Sequence, residues 1–166
     1  IYAWLNTDDL YFPWTLEVVT TALSEPGVEW ITGHPNYMNV DGTDFHLRGL
    51  RPYYRREWIE RGWYNDEALG ADIQQESTFW TAALWDRAGG FPDGVQYAGD
   101  FWLWRQMAAV EELHTVDTVI AAHRIHPDQL SDDQTAYHEE VVAARPGLAR
   151  LLGKLHLHDI YSLYRL

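Results

Sequence analysis

The chain opens on a compact apolar run, "IYAWLN", that stops at Thr7-Asp8-Asp9, and this pattern predicts a strand ended by two like charges. Pro13 then suits the first turn of a helix reaching about Leu23, with Trp14, Val18 and Ala22 recurring at helical spacing. "SEPG" breaks that helix and "VEWITG" reads as a second strand. Asp41-Gly42 between two strand-like flanks predicts a hairpin, and "YYRREWIERG" a short surface helix ended by Gly62. Further on, "QQEST" reads as a polar strand end feeding a helix from about Phe79 to Arg87, which Gly89 and Gly90 stop. "YAGDFWLWRQMAAV" predicts a loop and then a helix with Asp100 near its start, and "HTVDTVIAAHRIH" predicts another strand. From about Asp132 the chain is expected to be mostly helical, with a break at Pro146-Gly147. No internal repeat or low-complexity tract interrupts this order.

These elements alternate as an α/β domain with a mixed sheet does. Open sheets of that kind hold ligands beyond the carboxyl ends of their strands, and Asp8 and Asp9 lie at one such end. The composition agrees: 166 residues, 46% of them apolar and 14% aromatic with nine tryptophans, are enough for one domain with a substantial core. No apolar run is long enough to span a membrane and no stretch reads as a signal peptide. The absence of cysteine excludes disulfides and thiolate metal sites and fits a reducing compartment. A net charge of −13 argues against nucleic acid as a partner, because phosphate contacts need a basic face. A nucleotide remains open, since a divalent cation on carboxylates can bridge an acidic site to a diphosphate.

Adjacent carboxylates such as Asp8 and Asp9 repel, and Mg²⁺ or Mn²⁺ would compensate them; a helix cap or a solvated turn fits the same pair. Asp100, packed among aromatics at a helix start, suits a general base and equally an N-cap. Trp80, Trp102 and Trp104 would offer platforms for sugar rings or belong to the core. His123 and His126 in "HRIHPDQLS" fall at a strand end, where an imidazole can join a metal or a phosphate. His156 and His158 read as a solvated or interface face of a terminal helix. There is no metalloprotease histidine pattern, glycine-rich phosphate loop or nucleophile elbow.

As an ordered set, "IYAWLNTDDLYFPWTL", "IQQESTFWTAALWDRAGGF", "YAGDFWLW" and "HRIHPDQLS" resemble the second half of a family 2 glycosyltransferase over about residues 1–135, leaving 136–166 as a helical extension. The acidic motif is carried by Thr7-Asp8-Asp9, the later acid by Asp100 ahead of "FWLW", and the closing residues by His126 and Ser131. The resemblance implies a GT-A fold, an inverting transfer from a nucleotide-diphosphate sugar (a UDP-sugar first of all) and a Mn²⁺ or Mg²⁺ cofactor. It implies that Asp9 binds the metal, that Asp8 supports the metal or contacts the donor's ribose or sugar, and that Asp100 deprotonates the acceptor hydroxyl. Gln74, Gln75 and Glu76 would line the sugar and acceptor side, Trp80 and Trp102 would join them, and His126 would touch the diphosphate or metal. A glycan or lipid-linked acceptor, polysaccharide synthesis and a cytoplasmic place at the inner membrane face follow from the same resemblance. Members of the family begin with a βαβ nucleotide-binding half, and no such half precedes Ile1, so a longer chain or a second subunit is expected to supply it. Two rival readings are a non-catalytic glycan- or partner-binding module and a glycoside hydrolase using Asp9 and Asp100.

Overall fold

The computed structural model describes residues 1–43, 45–47, 54–62, 73–126 and 134–144. In chain order the elements are β1 (Tyr2–Ala3), β2 (Leu10–Tyr11), α1 (Thr15–Ala22), β3 (Trp30–Thr32), β4 (Asn36–Met38), β5 (Phe45–Leu47) and α2 (Arg56–Glu60). A 3₁₀ turn, Gln75–Ser77, runs directly into β6 (Thr78–Trp80), followed by α3 (Ala82–Ala88), α4 (Gly99–Val110), β7 (His114–Thr115), β8 (Ala121–Arg124) and α5 (Gln134–Ala144). Ser131, Pro146-Gly147, His156 and His158 lie outside the described residues.

Among the described residues the strands form two four-stranded mixed sheets, ordered β1-β6-β3-β7 and β2-β8-β4-β5. In the first, β6 runs antiparallel to both β1 and β3 while β7 is parallel to β3; in the second, β8 is antiparallel to β2 and parallel to β4. The mixed α/β class read from the sequence therefore holds. β3 and β6 are buried along their whole length, as strands covered on both faces must be. Alternation divides their side chains between two cores. Trp30 and Trp80 point into a large cluster with Leu84, Phe101, Trp104 and Met107 from α3 and α4, whereas Ile31 and Phe79 meet Val19 of α1 and Ile120 on the other side.

Four expectations change. Phe79 and Trp80 are strand, not the start of a helix, because a Thr-Phe-Trp triplet with partners on both edges is worth more as the inner strand of a sheet. The helix starts only after Thr81, whose hydroxyl accepts the Leu84 N–H at 3.1 Å as an N-cap. "HTVDTVIAAHRIH" is two strands in two different sheets, since the Asp117-Thr118 bend between them redirects the chain. β1 is only two residues long, exposed, and at the edge of its sheet. The Asp41-Gly42 hairpin is present as β4–β5, with Gly42 at φ +73°. α2 is less superficial than its polar sequence implies: Ile59 is fully buried, and Gly62, at φ +69°, closes the helix against Phe101.

α4 is the helix that the others serve. It has no side-chain cap of its own, because its N-cap position is Ala98, and no basic residue in its last turn. Both ends are finished by neighbours. At the start, the Glu140 carboxylate of α5 accepts the backbone N–H groups of Gln96 (3.0 Å), Tyr97 (2.9 Å) and Ala98 (2.8 Å). At the end, Arg56 of α2 donates to the carbonyls of Ala108 (2.6 Å) and Ala109 (2.7 Å). An anion at the N-terminus and a cation at the C-terminus both match the helix dipole. α5 starts one residue before the expected boundary at 135, and Val141 and Ala144 bury it in the large core.

Two outcomes follow from this packing. A Cβ at Gly62 would lie 2.5 Å from Phe101 Cζ in a left-handed backbone, so Gly62→Ala is expected to cost roughly 1–3 kcal/mol in urea unfolding with an unchanged m-value. Burial pushes the Glu140 carboxyl upward, but its three N–H donors outweigh this and hold it below the usual carboxylate range. A carboxyl lowered in the folded state stabilises above its unfolded value, about 4.3, and loses that contribution as the pH falls. Between pH 5 and about pH 3, wild-type stability should therefore fall more steeply than that of Glu140→Gln, as read by denaturant titrations across that range.

Candidate functional site

The acidic segment between β1 and β2 is a closed turn. The Asp9 N–H donates to the Asn6 carbonyl at 3.3 Å, and Asn6 Nδ2 donates to Asp9 Oδ2 at 3.2 Å. Beyond the turn, the register Leu10↔Ala122 and Tyr11↔Ala121 carries outward to set Asp9 opposite His123 and Asp8 opposite Arg124. His123 Nδ1 lies 3.4 Å from Asp9 Oδ1, and the same oxygen accepts the Arg124 backbone N–H at 2.9 Å. β8 also pairs Tyr37 with His123, and β5 pairs His46 with Tyr37. Because directly paired residues share a face, Asp9, His123, Tyr37 and His46 form one row across the second sheet.

Arg124 occupies the opposite face. Its Nε donates to the Asp8 carbonyl at 2.7 Å, and its Nη1 donates to the carbonyls of Val40 (2.7 Å) and Asn39 (3.3 Å). One guanidinium thus ties the acidic turn to the hairpin turn. The fit is close: a Cβ at Gly42 would come within 3.3 Å of Nη1.

The segment before β6 supplies the third wall. Gln74 is buried, and its amide pairs with the Asn36 backbone in both directions, accepting the N–H at 2.8 Å and donating to the carbonyl at 3.0 Å. It therefore satisfies the backbone of Asn36 at the start of β4, ahead of the Tyr37 and Met38 pairs with β8. Gln75 Nε2 reaches the acidic turn, 3.3 Å from Asn6 Oδ1 and 3.5 Å from the Trp4 carbonyl. Glu76 is 2% exposed and comes to Asp9: Asp9, Glu76 and His123 each place one ligand-type atom within 4.8 Å of the others. Two carboxylate oxygens and an imidazole nitrogen at that spacing suit a divalent cation. The Asp9 side chain has no solvent exposure, while His123 keeps 26% of its own.

The electrostatics follow from this crowding. Burial lowers the His123 basicity, yet the Asp9 contact and the charges of Glu76, Asp9 and Asp8 overcome it and raise the imidazole above its ordinary value. The Tyr11 hydroxyl is pushed up to about 12, first by burial and then by Glu76 and Asp9. Asp8 stands apart from the cluster. Its Oδ2 lies 2.8 Å from His126 Nε2, and this bond holds the Asp8 carboxyl below the usual range despite some desolvation.

The sequence candidates thus separate into groups. Asp9, Glu76 and His123 converge; Asp8 and His126 form an adjoining pair; Gln75 touches the turn. Asp100 sits in the first turn of α4, directly after Gly99, whose Cα faces the Trp4 ring two residues before Asn6. Trp102 is half-buried with the Arg105 guanidinium 5.4 Å from its ring centre. Trp80 corrects the platform reading: at 3% exposure, between Trp85 and Trp104, it is a core residue without an open ring face. The sequence reading placed Glu76 on the sugar side, and did not single out Asn6 or Arg124. The signal for Arg124 was its place directly after His123 in "HRIH", where strand alternation turns it to the opposite face.

No protein-family model matches the chain. Over 155 residues it is 23% identical to an uncharacterized glycosyltransferase of Rickettsia typhi, covering 92% of this chain. The chain spans 48% of that relative's length. This similarity relates the chain distantly to a glycosyltransferase.

Arg124→Lys keeps the charge but not the planar fork that reaches two turns at once. Arg124→Gln and Arg124→Lys are each expected to lose about 1–3 kcal/mol of stability in urea unfolding, the scale of hydrogen bonds to a charged group.

Proposed function

We propose that the chain is the metal- and acceptor-binding part of an inverting, GT-A-type glycosyltransferase acting on a nucleotide-diphosphate sugar, with a UDP-sugar as the first donor to test. The observation that carries this reading is the meeting of three separated motifs at one buried cluster, Asp9, Glu76 and His123. The distant similarity to a glycosyltransferase supports it.

The donor set fits a divalent cation of the Mn²⁺ type better than Mg²⁺, because an imidazole joins two carboxylates and Mg²⁺ favours oxygen ligands and water. Asp9 is already oriented for such a role: Asn6 and the Arg124 N–H fix its two oxygens, as outer hydrogen bonds do for metal ligands. A bound cation would offset negative charge on the leaving diphosphate. Asp8 and His126, at the rim, would contact the donor's ribose or phosphates. Asp100 would take the proton of the acceptor hydroxyl as its oxygen bonds to the anomeric carbon and the carbon–phosphate-oxygen bond breaks. Gln75 and Trp102 would line the acceptor side. A glycan or lipid-linked acceptor and a cytoplasmic site at the inner membrane face belong to the same reading. Among the described residues no helix is long and apolar enough to cross a membrane.

Calorimetric titration of UDP with Mn²⁺ tests the site in the protein at its full natural length. Asp9→Asn, Glu76→Gln and His123→Ala should each weaken Mn²⁺-dependent binding at least tenfold, and EDTA should abolish it. Asp100→Asn should leave that binding intact and reduce transfer by about 10²–10⁴-fold in a radiolabelled-sugar assay, the usual contribution of a positioned base. Glycan binding indifferent to EDTA and to Asp9→Asn would instead favour a binding module. Release of reducing sugar without a nucleotide donor would favour a hydrolase.

A further inference from the structure

α5 lies beyond the motifs that carry the proposed chemistry, yet it supplies the groups that hold α4 in place. Glu140 is its centre. The carboxylate accepts three consecutive backbone N–H groups, from Gln96, Tyr97 and Ala98, at 2.8–3.0 Å. These residues lead directly into Gly99 and Asp100. The Ala98 N-cap carries no side-chain acceptor; Glu140 instead takes the N–H of that N-cap and of the two residues before it, and so fixes the loop that enters the helix. A second attachment lies one turn further along α5 and about two turns into α4: Arg105 of α4 donates to the Ala144 carbonyl at the end of α5, and its Nε donates to the Glu60 carbonyl of α2 at 2.9 Å. Val141 and Ala144, buried in the large core, anchor the helix that presents Glu140. The far side of the Gly99 position is closed by Trp4 and Phe91, which pack edge to face at 5.1 Å. The chain entering Asp100 is thereby held between Glu140 and the strand that leads to the acidic turn.

We propose that Glu140 is a positioning residue for Asp100, and that α5 is part of the catalytic unit rather than an appendage to it. This rests on the reading of Asp100 as the base. Its physical basis is that a base must sit within hydrogen-bond reach of one proton, and a displacement of about 1 Å can cost 10²-fold in rate. Both carboxylate oxygens are used by the loop: Oε1 takes the Gln96 N–H and Oε2 takes those of Tyr97 and Ala98. A glutamine keeps one acceptor oxygen and cannot serve all three donors; an alanine serves none.

The test compares Glu140→Gln, Glu140→Ala and Asp100→Asn in the protein at its full natural length. Amide hydrogen exchange reads the geometry directly. Exchange at Gln96, Tyr97 and Ala98 should accelerate at least tenfold in Glu140→Ala and less in Glu140→Gln, while the amides of Trp30 and Ile31 stay protected. In the transfer assay kcat should fall about tenfold for Glu140→Gln and about 10²-fold for Glu140→Ala, with the donor KM and the Mn²⁺-dependent UDP affinity within twofold of wild type. Unchanged exchange at the three amides overturns the proposal. So does wild-type kcat in Glu140→Ala while Asp100→Asn is inactive, or a loss confined to donor KM. Full turnover in Asp100→Asn would instead remove the assignment of the base, whatever the exchange data give.

Discussion

A carboxylate with no access to solvent sets the terms for the rest of this structure. Asp9 cannot be buried without donors, and it takes them from each of its surroundings: Asn6 from its own turn, the Arg124 N–H from β8, and the His123 ring beside that N–H. Satisfying it aligns β2 with β8, and that register decides which side chains share a face with it. Glu76 adds a second buried acid to the same place. The arrangement balances two negative charges with one imidazole and backbone dipoles, which leaves it suited to a further positive charge.

The same economy governs α4. A helix whose ends carry no caps is a weak element alone, and here the ends are completed by Glu140 and Arg56 from helices distant in sequence. Helix α4, α2, α5 and the loop before Asp100 are therefore tied to one another by hydrogen bonds. Because the start of α4 also rests on Trp4, the acid it carries is tied mechanically to the strand preceding the acidic turn.

The parts legible in the sequence were those written in local chemistry. The Asp41-Gly42 hairpin, the glycine stop after α3 and the helix beginning near Asp100 follow from turn geometry and periodicity. What was not legible depended on partners far along the chain. Phe79 and Trp80 are strand because β1 and β3 flank them, not because of their own neighbours. Gln74 reads as a site residue until Asn36 claims both ends of its amide. His123 and Glu76 acquire a shared role only when the register of β2 on β8 is known. The order of the motifs could suggest that they meet; the choice of which acid and which imidazole touch was set by alternation within strands only two to four residues long.

The aromatic rings run as a chain through the large core. Trp30 lies 5.8 Å from Trp104, which lies 5.5 Å from Trp80; Trp80 is 6.3 Å from Trp85, and Phe91 links Trp85 to Trp4. Rings held this close in fixed mutual orientations exchange excitation, so their near-ultraviolet dichroism belongs to the assembly rather than to any one residue. Such a signal vanishes when fixed packing is lost even if helices and strands persist. The protein thus carries its own optical gauge. It spans from Trp4, ahead of the acidic turn, to Trp104 in the middle of α4, and it reports the packing of α4 on the sheet without any added label.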